Sequence, residues 1–511
     1  MSFNSIPNEV IDNILIFSLE NNPNSGDFLP DSNSSNVFQH FVATQLNKLS
    51  RFCENSDLSL CRLIRPNIVT IPDEHADRMG VFSRIVKIMK SFGVDAESRV
   101  HTSEEIVEFA QSIEDKGLTT IWPRIVDEIV KLDPSIRVSP DLDAKRIRLF
   151  IAKNPEHIEA VQELDLKNLG LYCLPKEIRF LTGLEVLELN DNQLTGLPPE
   201  ICNLVHLREL YLNYNRLKIL PEEIGNLAAL QKLELRENRL RQLPVRLKDL
   251  LNLETLNLTR NRLVEWPQEA VNLNSLQSLN LSSNRFTTLP DEIATFQNLE
   301  TLNIASNEIT ALPGWIGTLG NLQSLNARSN QLTELPTEIG TLANALRALT
   351  LDSNQIESLP EEIGDLINLE ELDLASNWLT TLPGTIGGLN NLIELNLMNN
   401  RLASLPPQIG NLAGLEILYL SYNLLEELPV QEDNLNHLRI LNFSHNLCRE
   451  TSWIGKLTSL ETLDLTENLF TEVSPEIGNL QNLQTLDVRD NNITELPAEV
   501  LALPHLREHL M

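Results

Sequence analysis

Residues able to do covalent or metal chemistry are sparse in this chain, and none is spaced for it. The five cysteines (Cys53, Cys61, Cys173, Cys202 and Cys448) are scattered, and no two form a Cys-x-x-Cys pair. Neither a zinc site nor a disulfide framework is indicated. The nine histidines lack the spacing of a metal site, or of a base beside a Cys or Ser nucleophile. Gly455-Lys456 stands outside any phosphate-binding loop, and no Gly-x-Gly-x-x-Gly precedes a helical pattern. The chain is therefore expected to hold no cofactor and no metal, and to have no catalytic centre. Recognition chemistry remains. Four of the five tyrosines fall in two close pairs, Tyr211/Tyr214 and Tyr419/Tyr422, and tyrosine offers large contact area with little rotamer loss. Met398, Ile417 and Ile440 surround the second pair, and Trp378, Leu424, Leu447 and Leu469 share one recurring position nearby. Arg216, Arg239, Arg262 and Arg285 occupy that same position in earlier copies, with Arg236, Arg241 and Arg260 close by.

The elements that position these residues follow from a 23-residue period. Leu184-x-x-Leu187-x-Leu189-x-x-Asn192-x-Leu194 is repeated as Leu207, Leu210, Leu212, Asn215, Leu217. The asparagine returns at Asn238, Asn261, Asn284, Asn307, Asn330, Asn354, Asn377, Asn400, Asn423, Asn446, Asn468 and Asn491. Leu-x-Leu is a two-residue alternation that buries one face of a strand and leaves the residue between outside. The proline of the following Leu-Pro ends the strand and turns the chain into a short return leg, as in Leu220-Pro221-Glu222-Glu223-Ile224-Gly225. One copy cannot close a core, but stacked copies share one. The asparagine amides are expected to satisfy backbone groups between copies rather than to bind a ligand.

This pattern resembles the leucine-rich repeat family, in its Leu-Pro-x-Glu-Ile-Gly subclass, from about residue 161 to the end. With an atypical first copy (Val161, Leu164, Leu166, and Leu169 in the asparagine position) there are about 15 copies. The resemblance implies an α/β leucine-rich repeat solenoid, a curved parallel β-sheet inside with short helices or turns outside. About 15 strands at about 4.8 Å give an inner face on the order of 65–70 Å, enough to cradle a protein. The apolar cluster around Tyr419 then faces inward and reads as a partner-binding surface, or else as scattered surface apolars. The arginine stripe reads as a receiver for an acidic or phosphorylated segment, or as solvated loop side chains, the commoner outcome, with Glu234 and Glu237 diluting its field. The return leg Leu428–Leu435 carries Glu432 in place of the buried Ile and Asp433 in place of Gly. The next copy has 22 residues between Asn446 and Asn468 and reads Glu450-Thr451-Ser452-Trp453 where Leu-Pro is usual. The array is expected to be weakest over Leu428–Leu460.

The net charge of −31, about −6 of it before residue 150 and −25 after, opposes binding to nucleic acid. Met1–Glu20 lacks a basic n-region, and Glu9 and Asp12 break its apolar run, so no signal peptide is expected. No stretch approaches the roughly 20 apolar residues that span a bilayer. These features point to a monomer in the cytoplasm, or one delivered into a host cytosol, with protein partners and no membrane contact.

Three segments are expected: a helical one over 1–65, a helical linker or cap over 66–153, and the solenoid over 154–511. Helices are predicted near Asp77–Phe92, Glu104–Ile113, Ile121–Leu132 and Ala144–Lys153. Ile6-Pro7-Asn8-Glu9-Val10-Ile11 resembles the opening of an F-box, and Leu46-Asn47-Lys48 with Leu58-Ser59-Leu60-Cys61-Arg62-Leu63 resembles its second half. Ser50 and Leu60 stand where that family usually has tryptophan, and Asn21–Ser35 is longer than its usual connection. The resemblance implies docking on a ubiquitin-ligase adaptor while the arc holds a substrate, as in proteins that intracellular bacteria use on host cells. Cys53-Glu54-Asn55 and Cys61-Arg62-Leu63 do not supply the Cys-x-Asp nucleophile of bacterial repeat-protein ligases.

Overall fold

The computed structural model describes residues 103–267, 273–430 and 435–510. The F-box-like segment, the helix expected near Asp77–Phe92, and Glu432 with Asp433 lie outside the described residues. The chain divides into two compact units, Met1–Gln111 and Ser112–Met511, and the second holds all the repeats.

Helix α1 (Ser103–Leu132) runs unbroken through a stretch expected to form two helices. Gly117 allows a close approach within it, because a Cβ there would meet the Cys173 carbonyl at 3.3 Å. The Thr119 and Thr120 hydroxyls donate back to the carbonyls of Asp115 and Lys116 in the turn before Pro123. Leu118, Ile121, Trp122, Ile125 and Ile129 recur at helical spacing and are buried in the core that also contains Leu164 and Leu166. Helix α2 (Ala144–Lys153) is capped by Asp143, whose carboxylate accepts from the Arg146 N–H at 2.8 Å. Helix α3 (Pro155–Glu159) leads into the first strand. Arg148 of α2 ties these parts together, reaching Asp115 of α1 at 2.8 Å and the buried Glu177 at 2.5 Å.

Among the described residues sixteen three-residue strands follow, all parallel and paired in sequence order, from β1 (Glu163–Asp165) to β16 (Glu508–Leu510). That is one strand more than the repeat count suggested. His509 occupies the central leucine position of β16, yet the backbone still pairs, with the Glu508 N–H donating to Gln484 O and the Val488 N–H to Leu510 O. In the regular copies the middle residue of each strand is a fully buried leucine, while its two neighbours are only partly covered. These neighbours form two continuous rows along the sheet.

The return legs are mostly five-residue 3-10 turns, such as Glu222–Asn226 after Pro221. Pro221 sits at φ −65, ψ 145, extended but unable to donate to a strand partner. The Ile224 N–H then bonds back to its carbonyl at 3.1 Å. The consensus glycine is needed where neighbouring legs touch, since a Cβ on Gly225 would lie 2.5 Å from Arg246 O.

The recurring asparagines form the expected ladder. Asn284 is typical: its amide donates to Leu258 O, Leu281 O and Ser282 O, and its oxygen accepts from the Leu263 N–H. The residue before each ladder position adopts left-handed backbone, with φ between 50° and 59° from Asn168 to Asp490. The 22-residue copy keeps both the sheet register and the ladder. Ile440 still registers with Thr462, and the Cys448 N–H reaches Asn468 Oδ1 at 3.1 Å. A 3-10 turn over Ser452–Lys456 buries Trp453, whose ring lies 5.3 Å from that of Phe443. The deletion is absorbed in the return leg and leaves the sheet pairing intact.

Candidate partner-binding face

The two half-covered rows and the loops that follow each strand make up the concave side. Over most of its length the second row is short and polar, reading Asn257, Asn280, Asn303, Asn326 and Thr350 in register. In the C-terminal third apolar residues enter both rows, Ile417 and Ile440 the first and Tyr419 the second. In β12 (Ile417–Tyr419) and β13 (Ile440–Asn442), Ile417 lies beside Ile440, and all three apolar residues there (Ile417, Tyr419, Ile440) are half-buried. Met398 and Ile393 flank them and are exposed. Ile393 was missed in the sequence; it occupies an outward position of Leu392-x-x-Leu395 that is polar in most copies.

Tyr422 is 52% exposed, and its backbone is left-handed at φ 57. A bulky residue in that region costs about 1–2 kcal/mol, and Ser283, Ser306, Ser329, Ser353 and Ser376 fill the same position in the middle copies. The backbone therefore does not select tyrosine here. The ring stacks on His445 at 3.8 Å, and His445 Nδ1 lies 2.9 Å from Glu467 Oε2, so three successive left-handed positions form one column. Trp378 is 38% exposed, with the Arg401 guanidinium 5.0 Å from its ring. Leu424, Leu447 and Leu469 are exposed in successive copies along the same edge.

The first tyrosine pair is engaged differently. Tyr211 is half-buried, donates its hydroxyl to Glu209, and has the Lys232 ammonium 5.1 Å from its ring. Burial and that hydrogen bond push its phenol above the ordinary value. Tyr214 is more open, with Arg236 5.5 Å from its ring.

Arg216, Arg239, Arg262 and Arg285 do form a column, one per repeat, because each N–H bonds a carbonyl of the preceding copy (Leu194, Leu217, Leu240 and Leu263). The last three are exposed and Arg216 is half-buried. Among the described residues none of the four makes an ion pair, whereas the neighbouring Arg236 and Arg260 both reach Glu237. Burial, with Arg239 and Arg241 nearby, holds the Lys218 amine below its usual value.

Among the described residues the cysteine thiols are sequestered. Cys173, Cys202 and Cys448 are buried, and burial pushes the first two thiols up to about 12, far from the thiolate form that reacts. No group of three or more potential metal ligands occurs among the described residues, and no described helix is long and apolar enough to cross a membrane.

Comparison with known families matches a leucine-rich repeat region over residues 199–284, leucine-rich repeats over 274–332, 344–402 and 458–508, and a further one over 183–204. Among solved structures, a leucine-rich repeat protein of Leptospira interrogans is 36% identical, with TM-score 0.59, covering 70% of this chain and 98% of its own. A plant peptide hormone receptor, solved in complex with its peptide RGF2, is 30% identical at TM-score 0.57, covering 68% of this chain and 62% of its own. The functional domain of InlJ from Listeria monocytogenes, which includes a cysteine ladder, shares the fold at 22% identity and TM-score 0.57, covering 70% of this chain and 74% of its own. No curated protein matches.

Proposed function

Because this chain belongs to the leucine-rich repeat family, we propose that it is a non-enzymatic interaction protein that holds a protein partner on the C-terminal third of its concave face. One observation carries this reading. Ile417, Tyr419, Ile440, Met398 and Tyr422 gather on a sheet face whose outward strand residues are elsewhere mostly polar or charged. None of them is needed to close the core, which the strand leucines fill at 0–1% exposure. Tyr422 even occupies a backbone region that disfavours it. The plant receptor relative binds a peptide hormone, which supports a peptide or protein ligand here.

The test is capture of partners by the full chain and by its Tyr419→Ala and Tyr422→Ala variants. Each substitution should weaken binding by about 2 kcal/mol or more while the circular dichroism stays unchanged. Partners retained equally by both variants would refute the reading.

A second contact is favoured by the unpaired arginine column Arg216, Arg239, Arg262 and Arg285, which suits an acidic or phosphorylated stretch of the same partner. Association should slow as salt rises, and Arg239→Glu with Arg262→Glu should mimic that loss. Salt-insensitive association would leave these arginines as solvated loop residues. A substrate-receptor role in a ubiquitin ligase rests on the Ile6–Ile11 motif and is tested by pull-down of an F-box adaptor with the full chain. A reducing, cytoplasmic setting is proposed from the unpaired, buried thiols.

A further inference from the structure

Across four consecutive strands the concave face changes from acidic to apolar. In β10 (Glu371–Asp373) and β11 (Glu394–Asn396) the outward residues include three carboxylates; in β12 and β13 they include Ile417, Tyr419 and Ile440. The strand register places Glu371, Glu394, Ile417 and Ile440 in one row, and Asp373, Asn396, Tyr419 and Asn442 in the other. Along the adjoining edge the carboxylates are matched by arginines: Arg347 pairs with Glu370, and Arg439 lies 3.5 Å from Glu416 and 2.8 Å from Glu461. Among the described residues Glu371, Asp373 and Glu394 have no such ion pair.

The neighbouring copy adds a fourth carboxylate. Asp352 is 7% exposed; its Oδ2 lies 3.1 Å from Arg328 Nε, while its Oδ1 is buried without a hydrogen-bond partner. Burial, reinforced by Asp352, holds the Asp373 carboxyl above its ordinary value, and burial with Glu371 and Asp373 does the same for Glu394. Three partly desolvated carboxylates, Asp352, Asp373 and Glu394, thus lie with the exposed Glu371 on a face where Arg328 pairs with Asp352 alone, and a cation brought from outside would stabilise them. An inorganic ion would answer the acidic half of this surface but not the apolar half beside it.

Resting on the binding face proposed above, we infer that strands β10–β13 take an extended partner segment with a Lys or Arg side chain against Asp373 and Glu394 and a bulky apolar side chain against Ile417, Tyr419 and Ile440. The sheet sets the spacing. From midway between β10 and β11 to midway between β12 and β13 is two inter-strand steps, about 10 Å, which an extended chain covers in about three residues.

The probe is a phage-displayed library of random dodecapeptides selected on the immobilised full chain. Enriched peptides should carry Lys or Arg two to four residues from a bulky apolar residue. A synthetic copy of the dominant peptide should lose at least about tenfold in affinity on the double variant Asp373→Asn, Glu394→Gln, and similarly on Tyr419→Ala. Asp373→Asn keeps the acceptor for the Ala375 N–H, now 3.0 Å away, and installs the residue that Asn303, Asn326 and Asn396 already supply in this row, so the fold is preserved. Loss on Tyr419→Ala without loss on the double variant would overturn the cation contact and leave the binding face standing. Peptides indifferent to both would overturn both. Enrichment of acidic or neutral sequences, or of none, would overturn the inference.

Discussion

Replacing Asn284 tests whether the asparagine ladder holds the array together. Asn284 is 8% exposed, and its side chain makes four hydrogen bonds: donations to Leu258 O at 2.9 Å, Leu281 O at 3.0 Å and Ser282 O at 3.3 Å, and acceptance from the Leu263 N–H at 3.0 Å. The groups left behind by Asn284→Ala are not equal. Leu258 O keeps a bond from Asn261 and Leu281 O one from Asn307, whereas the Leu263 N–H loses its acceptor in a buried setting. An orphaned amide costs about 1–3 kcal/mol and each weakened carbonyl about 0.5 kcal/mol, giving a loss of about 2–4 kcal/mol. Asn284→Asp keeps the acceptor but turns a second oxygen toward three carbonyls, so at neutral pH it should destabilise more than Ala. That carboxyl is better tolerated protonated, so its folded pKa is raised above the ordinary value of about 3.9. The extra penalty is therefore complete at neutral pH and shrinks as pH falls through the raised value. Native-state hydrogen exchange at Leu263, read beside urea unfolding, measures both effects without assuming two-state behaviour. An Ala variant within about 0.5 kcal/mol of wild type, or an Asp variant equal to Ala at pH 7, would refute the reasoning.

Gly317→Ala should destabilise by about 1–3 kcal/mol, because its Cβ would fall 2.3 Å from both Glu338 O and Thr341 Oγ1; a urea midpoint shift of the opposite sign would contradict this. Arg148→Met should cost about 2–3 kcal/mol, toward the lower end for a broken pair because the guanidinium is partly exposed. Adding Glu177→Leu should recover part of that loss, and a double variant no more stable than the single would argue against the ion pair as the cause. Hydrogen exchange at Leu447 and Cys448 should be as slow as at Arg239 and Leu240, since both pairs bond equivalent carbonyls and ladder oxygens. Early opening of the 22-residue copy would support the expectation drawn from its sequence.

Leucine and asparagine spacing made the sheet, its parallel order, the inward rows and the ladder legible, because each buried position tolerates few residue types. The left-handed position before each asparagine was not legible, since Ser, Tyr, Glu, Arg and His all occupy it and its conformation is imposed by the ladder rather than by the residue. The continuity of α1 between the two helices expected there was not legible, because Leu118 and its neighbours are held by packing in the core shared with the first repeat. The burial of Trp453 against Phe443 was not legible either. In the proposed binding face, the placement of Tyr419, Ile417 and Ile440 on the outward side of the sheet and of Tyr422 in the loop after it was legible from register alone. The contrast between the open Tyr422 and the engaged Tyr211 needed coordinates, because it depends on Glu209 and Lys232 at neighbouring sheet positions.

Site-resolved photocrosslinking tests the central claim most directly. A photoreactive phenylalanine analogue would be placed singly at Tyr419, Met398 and Ile440 on the concave face, and at Glu361 and Gln297 on the exposed return side. Each full-length protein would be irradiated in an extract of the cells that make it. The account predicts one common adduct from the three concave positions, suppressed by excess unlabelled wild type, and none of that mass from Glu361 or Gln297. Adducts arising equally from both sides, or from the return side alone, would contradict it.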